Sequence, residues 1–523
     1  MTYQQTATQI VKESIKSAIF IDEKARSFYM KESELTGVDE ELLSEKLYDN
    51  FKINGISLAV HRFKKGEEQI EDVKKYLFDA RDLVLLDWKL NDEDGEECSL
   101  QLLADIVLNQ SHIHFCAIYT SLRNLDEVFW NILSYFSQST TEEYDDLKSE
   151  LSDLEGGIVR LISEIKSFSA KRFDKSSRRD FAQFCKNNAE IISRIAGNSK
   201  GKDKLCSVIN AGIAFSNELT SNTPLPCPSL ISASKRILTI GNTIITILNK
   251  TESTPDNLID KFSEHVVENE QSFMQLIGLE MQKLMSQKAA FIDTTILQVS
   301  KEAFIYHREQ KGKEGFHEFI KEVLFEQARL HLRNSELKML NNELLDSLTP
   351  QVISFNNDSE IQAINTFYNS SVLSGERPIN FGDVFKIGNK FFICITALCD
   401  CLNPKKNVFY FAEGKKITPR NALPLGDTAF ISYLPSNEII RWSDDQEEKG
   451  SHFKPIYIKP ISFIIPERKI LDKMLSLHFL DENANPKSIE VEYLTTVKPN
   501  YTQRIANHAF SHPVRVGVDF VKK

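Results

Sequence analysis

The chain has 523 residues, of which 41% are hydrophobic and 26% charged, and its formal net charge is −11. These values exclude a disordered polymer or a coiled-coil rod, and the negative balance argues against non-specific nucleic-acid binding by the chain as a whole. At about 150 residues per domain, about three or four domains are expected.

The first residues, MTYQQTATQI, lack a basic segment followed by an apolar core, so no signal peptide is read. No run approaches the roughly 18 apolar residues of a membrane span, and a soluble cytoplasmic protein is expected. The eight cysteines are scattered in apolar surroundings and read as small core residues.

Residues 3–17 predict a short amphipathic helix. SAIFIDE (17–23) is apolar, β-branched and ends in acids, the pattern of a buried parallel strand. ISLAVHRF (56–63), DLVLLDWKL (82–90) and IHFCAIYTS (113–121) repeat that pattern. Helical spacing separates them over 24–52, 67–81 and 98–109, and LDEVFWNILSYF (125–136) follows. Strands alternating with helices imply a parallel, doubly wound sheet of the flavodoxin-like kind. Residues 141–220 read as helical, with a basic stretch at 171–179 expected to be a solvated face. NTPLPCP (222–228) is a break, and RILTIGNTIITILN (236–249) reads as a β-hairpin turning at Gly241-Asn242. Residues 254–347 return to helix. Val323, Leu330, Leu337 and Leu344 recur every seven residues, but Glu326 and Arg333 interrupt the matching second seam, which favours a packed bundle over a dimeric coiled coil. From about 351 the chain is β-rich, with strand candidates at 379–400, 408–417, 429–434, 457–466 and 489–494, and a small barrel or a strongly bent sheet is expected. The organisation is multidomain α+β, with units expected at 1–137, 138–350 and 351–523.

In an open α/β sheet, ligands bind at the carboxyl ends of the strands. Here those ends carry Asp22-Glu23, Asp87 and Thr120-Ser121. Carboxylates meeting at one sheet edge repel one another, and a hard cation such as Mg²⁺ relieves that. A carboxylate beside Mg²⁺ can attack a phosphoryl donor. The segments IFIDE, VLLDWKLNDEDG and AIYTS, in this order and with Gly95 downstream, resemble the receiver domain of bacterial response regulators. The resemblance implies Asp87 as phosphoacceptor, Asp22, Glu23 and Asp87 with the Lys89 backbone carbonyl as Mg²⁺ ligands, and Thr120 as the switch hydroxyl. It also implies a lysine closing a fifth strand. No lysine occurs between Arg123 and Asp146, and Lys148 and Lys166 stand in helical context. The fifth strand is therefore either degenerate or supplied from elsewhere in the chain.

The C-terminal half offers Cys399 and Asp400 after a strand, and Arg504 and His508, which share a face if helical and could bind an anion. The C-x-C spacing lacks a second pair, so a structural zinc site is not indicated. More weakly, the INFGDVF…ICITALCD and RIANHAF…RVGVDF patterns resemble large receiver-containing bacterial proteins encoded beside histidine-kinase-like ATPases, some in predicted antiphage systems. The reading is a two-component-type signalling protein whose receiver controls a C-terminal interaction module. A histidine kinase or histidine-kinase-like ATPase is the expected partner, with a further protein bound by the C-terminal domain, no membrane, no nucleic acid, and a homodimer compatible with long helices. A silent receiver used as a scaffold, and a receiver-regulated enzyme using Cys399, Asp400, Arg504 or His508, are the alternatives.

Overall fold

The computed structural model describes residues 2–26, 39–137, 225–288, 297–349 and 358–510, apart from short breaks within these spans, with three further positions between 183 and 187. Lys148, Lys166, the basic stretch 171–179 and the ending RVGVDF lie outside the described residues. The chain divides into two compact units, Met1–Ala289 with Leu332–Thr349, and Ala290–His331 with Pro350–Lys523.

The first unit is a sheet between two helical layers. Its elements run α1 (Tyr3–Ser14), β1 (Ser17–Asp22), α2 (Asp39–Ile53), β2 (Ser57–Arg62), α3 (Glu71–Phe78), β3 (Leu83–Leu86), α4 (Gly95–Asn109), β4 (His114–Thr120) and α5 (Leu125–Phe136). They continue with β5 (Pro228–Ser232), β6 (Ile237–Ile240), β7 (Thr243–Asn249), α6 (Leu258–Val267) and α7 (Phe273–Lys288). The strand order is β2-β1-β3-β4-β7-β6-β5. β1, β2, β3, β4 and β7 are parallel, while β6 and β5 are antiparallel additions at one edge. The strands are apolar end to end because both faces are covered: Ile19, Ile21, Val84 and Leu86 pack against one layer, and Phe20, Leu83 and Leu85 against the other.

The hairpin expected at 236–249 is present, with Gly241 at φ 57° at its turn. Its second strand is the fifth parallel strand of the N-terminal sheet. β7 pairs with β4 over seven residues, from His114↔Thr243 to Thr120↔Asn249, and buries Ile244, Ile245, Ile247 and Leu248. The compact unit therefore extends past residue 137, because the sheet edge at β4 is completed only by β7.

The end of the helical span expected over 254–347 is split between two helices. α9 (Phe316–Arg333), preceded by α8 (Lys301–Lys311), ends at Asn334, and α10 (Asn342–Leu348) starts anew with Asn341 as its cap. Leu344 of the heptad pattern, together with Met339, packs in the core of the first unit. There the buried carboxylate of Glu280 accepts the backbone N–H groups of Lys338 and Met339, both at 2.9 Å. Burial works against the Glu13 carboxylate, but Lys283 and Lys338 more than offset it and hold its pKa at about 2.

The second unit contains α8, α9 up to His331, α11 (Asp358–Asn369) and a closed antiparallel barrel. Its staves are β8 (Asp383–Ile387), β9 (Lys390–Cys394), β10 (Val408–Ile417), β11 (Pro460–Ile464), β12 (Met474–Leu480) and β13 (Pro486–Val497), followed by α12 (Pro499–Phe510). The hydrogen-bonded order is β9-β8-β13-β12-β11-β10, closed by β9 against β10. Closure removes the free edges that an open sheet would expose. Phe385, Phe411, Leu477 and Tyr493 fill the interior. No helix among the described residues is long and apolar enough to cross a membrane.

A chain ending at residue 137 lacks the β4–β7 ladder and four buried aliphatic side chains of β7. It is expected to show no cooperative thermal unfolding transition by circular dichroism, whereas the full chain shows one; an equally cooperative transition in both would show that β7 is dispensable.

Candidate functional site

Parallel registry brings the ends of β1, β3, β4 and β7 to one sheet edge. Ile21 lies opposite Leu86, and the Asp87 N–H donates to the Ile21 carbonyl at 3.0 Å, so Asp87 emerges beside Asp22. On the other side, the Lys250 N–H donates to the Thr120 carbonyl at 2.8 Å. Lys250 is thus the first residue past β7, as Asp87 is past β3.

The Lys250 ammonium sits between the two acids, 2.8 Å from Asp22 Oδ2 and 2.7 Å from Asp87 Oδ1. The remaining carboxylate oxygens accept backbone N–H groups, Asp22 Oδ1 from Lys24 at 2.7 Å and Asp87 Oδ2 from Lys89 at 3.0 Å. Asp22 and Asp87 are buried, and the Lys250 side chain is 10% exposed. Burial pushes the Asp87 carboxyl above its usual range against the pull of the Lys250 charge, with Asp22 adding to the rise. Burial disfavours the Lys250 ammonium too, but Asp87 and Asp22 outweigh it and raise its pKa, which keeps it protonated.

The surroundings fix this geometry. The Lys250 ammonium lies about 6 Å from the ring centres of Phe20 and Tyr119. Tyr119 donates to the Ser253 carbonyl at 2.7 Å and Asn249 Nδ2 to the Leu122 carbonyl at 2.9 Å, tying the turn after β7 to β4. Ser99 of α4 donates to the carbonyls of Asp87 and Trp88 at 3.0 and 2.8 Å. Gly95 is a close approach: a Cβ there would lie 2.9 Å from Lys89 Cα.

Two carboxylates and one ammonium leave a formal charge of −1 in a buried pocket. A hard cation with oxygen ligands fits that deficit, and Asp22, Asp87 and the Lys89 carbonyl are the groups that could hold Mg²⁺ with water completing its shell. Glu23 is half-buried and pairs with Lys24 at 3.2 Å. Among the described residues no three His, Cys, Asp or Glu side chains form a metal-holding group, so Glu23 is not drawn into the cluster as it stands. Thr120 is buried at the end of β4, its Oγ1 accepting the Leu122 N–H at 3.3 Å.

A family model described as the response receiver domain matches residues 14–165. The N-terminal part of this chain is a receiver domain. No curated protein and no solved structure matches the chain. A receiver points to two-component-type signalling, in which a histidine kinase is the general partner. The matched span ends before β7, so the lysine of this receiver lies outside it. Sequence reading found the hairpin but missed Lys250. The available signal was a buried strand, TIITILN, running directly into a lysine.

The C-terminal candidates are placed differently. Arg504 and His508 share a face of α12 and pack on one ring, Phe430, at 4.8 and 4.3 Å. Cys399, half-buried, and Asp400 lie on a short helix, Leu398–Cys401. The neighbouring Cys401 thiol is buried, and contact with Cys394 followed by burial pushes its pKa far up, so it stays protonated.

Replacing Lys250 by Met leaves two buried carboxylates facing each other. Removing one partner of a buried ion pair costs about 3–5 kcal/mol, and Lys250→Met is expected to lose about that much in urea unfolding, with Asp87→Asn added in the same chain restoring part of it. Because burial raises the folded-state pKa of Asp87 above 3.8, its ionised form is disfavoured on folding. Stability is lost as pH rises through that pKa, and the Lys250→Met chain should regain stability on acidification. An unchanged unfolding midpoint in Lys250→Met would contradict the pairing.

Proposed function

We propose that this receiver is a working phosphoacceptor and that Asp87 is the residue modified. The observation that carries the reading is Lys250 held between Asp22 and Asp87, which supplies the cationic group that the segment between Arg123 and Asp146 lacks. Asp87 Oδ1 attacks the phosphorus of a phosphoryl donor. The bond from phosphorus to the leaving group breaks, its electron pair departs with that group, and Asp87 becomes an acyl phosphate. Lys250 then exchanges its bond to the Asp87 carboxylate for one to a phosphoryl oxygen, while its contact with Asp22 keeps it in place. Bound Mg²⁺ would offset the phosphoryl charge. Thr120, at the end of β4, is the hydroxyl that would turn toward the modified group.

The C-terminal unit is read as the output, an interaction module answering to the state of Asp87. The phosphoryl source is read as a histidine kinase or histidine-kinase-like ATPase. The antiphage setting rests on the weaker sequence resemblance alone.

Incubation with acetyl phosphate and Mg²⁺, read by intact mass, should add one phosphoryl group to the wild-type chain and none to Asp87→Asn. The rate should fall as the pH is lowered through the raised pKa of Asp87, because the protonated carboxyl is a poor nucleophile. No mass gain under conditions that label another receiver, with a histidine kinase also present, would return the domain to a scaffold role.

A further inference from the structure

The helical hairpin of α8 and α9 carries more apolar surface than it buries. Phe304 and His307 of α8 meet Phe316 of α9, each with ring centres 5.2 Å apart, and His307 also meets Phe319 at 5.7 Å. Among the described residues of the two helices, Phe316 is the only buried hydrophobic. Ile320, Val323, Gln327 and Leu330 follow Phe316 at i+4, i+7, i+11 and i+14, on the same face. Val323 is 50% exposed and Leu330 48%. α8 has 11 residues and α9 has 18, so at 1.5 Å per residue α8 is too short to cover the second half of α9. Two short helices with no core of their own are marginal in water.

Charge along the edge of this stripe says what covers it. Glu322, Glu326, Arg329 and Arg333 stand at i, i+4, i+7 and i+11, acids in the first half and bases in the second. Partial burial and the like charges of Glu318 and Glu326 push the Glu322 carboxyl up against the pull of Lys321, which pairs with Glu318 at 2.9 Å. Arg329 pairs with Glu326 at 2.6 Å, but both are exposed and such a pair contributes little. In an antiparallel helix pair, matching edges face each other. An edge that is acidic and then basic is complementary to its own copy in that orientation.

We propose that α9 is a dimerisation helix that pairs antiparallel with α9 of a second copy of this chain, joining two hairpins into a four-helix bundle. With the two-fold axis near Gln327, Glu322 lies beside the second copy's Arg333, and Glu326 beside its Arg329. Val323 lies near the second copy's Leu330, which covers both ends of the exposed stripe. A parallel pair would instead set the charged edge against Leu324, Ala328 and His331, with no such match. This pairing does not depend on the state of Asp87.

The test uses the full chain and light scattering after size exclusion at tens of micromolar. The wild type is expected at twice the 59.8 kDa chain mass. Glu322→Arg with Glu326→Arg makes the edge wholly basic, and Arg329→Glu with Arg333→Glu makes it wholly acidic. Each variant alone should elute at the single-chain mass with unchanged circular dichroism, and an equimolar mixture should return to the double mass. A monomeric wild type, two variants that stay dimeric, or a mixture that fails to associate would each overturn the proposal.

Discussion

One ammonium group between two buried carboxylates fixes the architecture of the N-terminal unit. Asp22 and Asp87 are brought together by the registry of β1 and β3 and cannot both stay ionised in an apolar setting without a counter-charge. The cation must come from the next place along the same sheet edge, the end of the strand beside β4. The chain meets that requirement with β7, placed more than a hundred residues after β4, and the hairpin β6–β7 with β5 extends the sheet beyond it. Site and fold are therefore one constraint: the strand that brings a cation to the acids also pairs the edge of β4.

Acids at strand ends were legible in the sequence because a parallel strand covered on both faces is a continuous apolar run, and a charge stops it where the cover stops. SAIFIDE and DLVLLDWKL show this, and Asp22 and Asp87 follow from it. Lys250 was not legible by the same route. Its strand was visible and its hairpin turn correct, but local pattern does not say which sheet a strand joins, and helical sequence stands between it and its neighbour. The break after α9 in the helical span expected up to residue 347 was not legible, because leucines at heptad spacing look alike whether they face a partner helix or, as Leu344 does, the core of the first unit. In the barrel, most staves fall on the expected strand candidates, but β12 (Met474–Leu480) lies outside all of them, and closure depends on β9 meeting β10, a pairing no local window contains. Arg504 and His508 share a helix face as their spacing implies, and that face is occupied by Phe430.

The same physics separates the two halves chemically. In the receiver, buried charges face one another and a cation-sized deficit remains, which is the condition for binding and transferring a charged group. In the C-terminal unit the buried carboxylate of Asp383 is matched. Asp383 receives two guanidinium bonds from Arg377 and one from Thr496, at 2.7 to 3.0 Å, and Arg377 stacks on Tyr493 at 4.7 Å. A satisfied network of this kind holds a barrel in register and leaves little charge for chemistry.

The distance along the chain between β4 and β7 also has a consequence for biosynthesis. A ribosome adds about 5–20 residues per second, so roughly ten seconds pass between the emergence of β4 and that of Lys250. Over that interval the edge of β4 offers unpaired backbone groups, and Asp22 and Asp87 have no cation between them. Until then the acidic edge of the nascent chain lacks the counter-charge that Lys250 supplies in the complete domain. Completion of the sheet edge at β4 and completion of the Asp22–Lys250–Asp87 cluster both wait for β7, so a truncated translation product would carry neither.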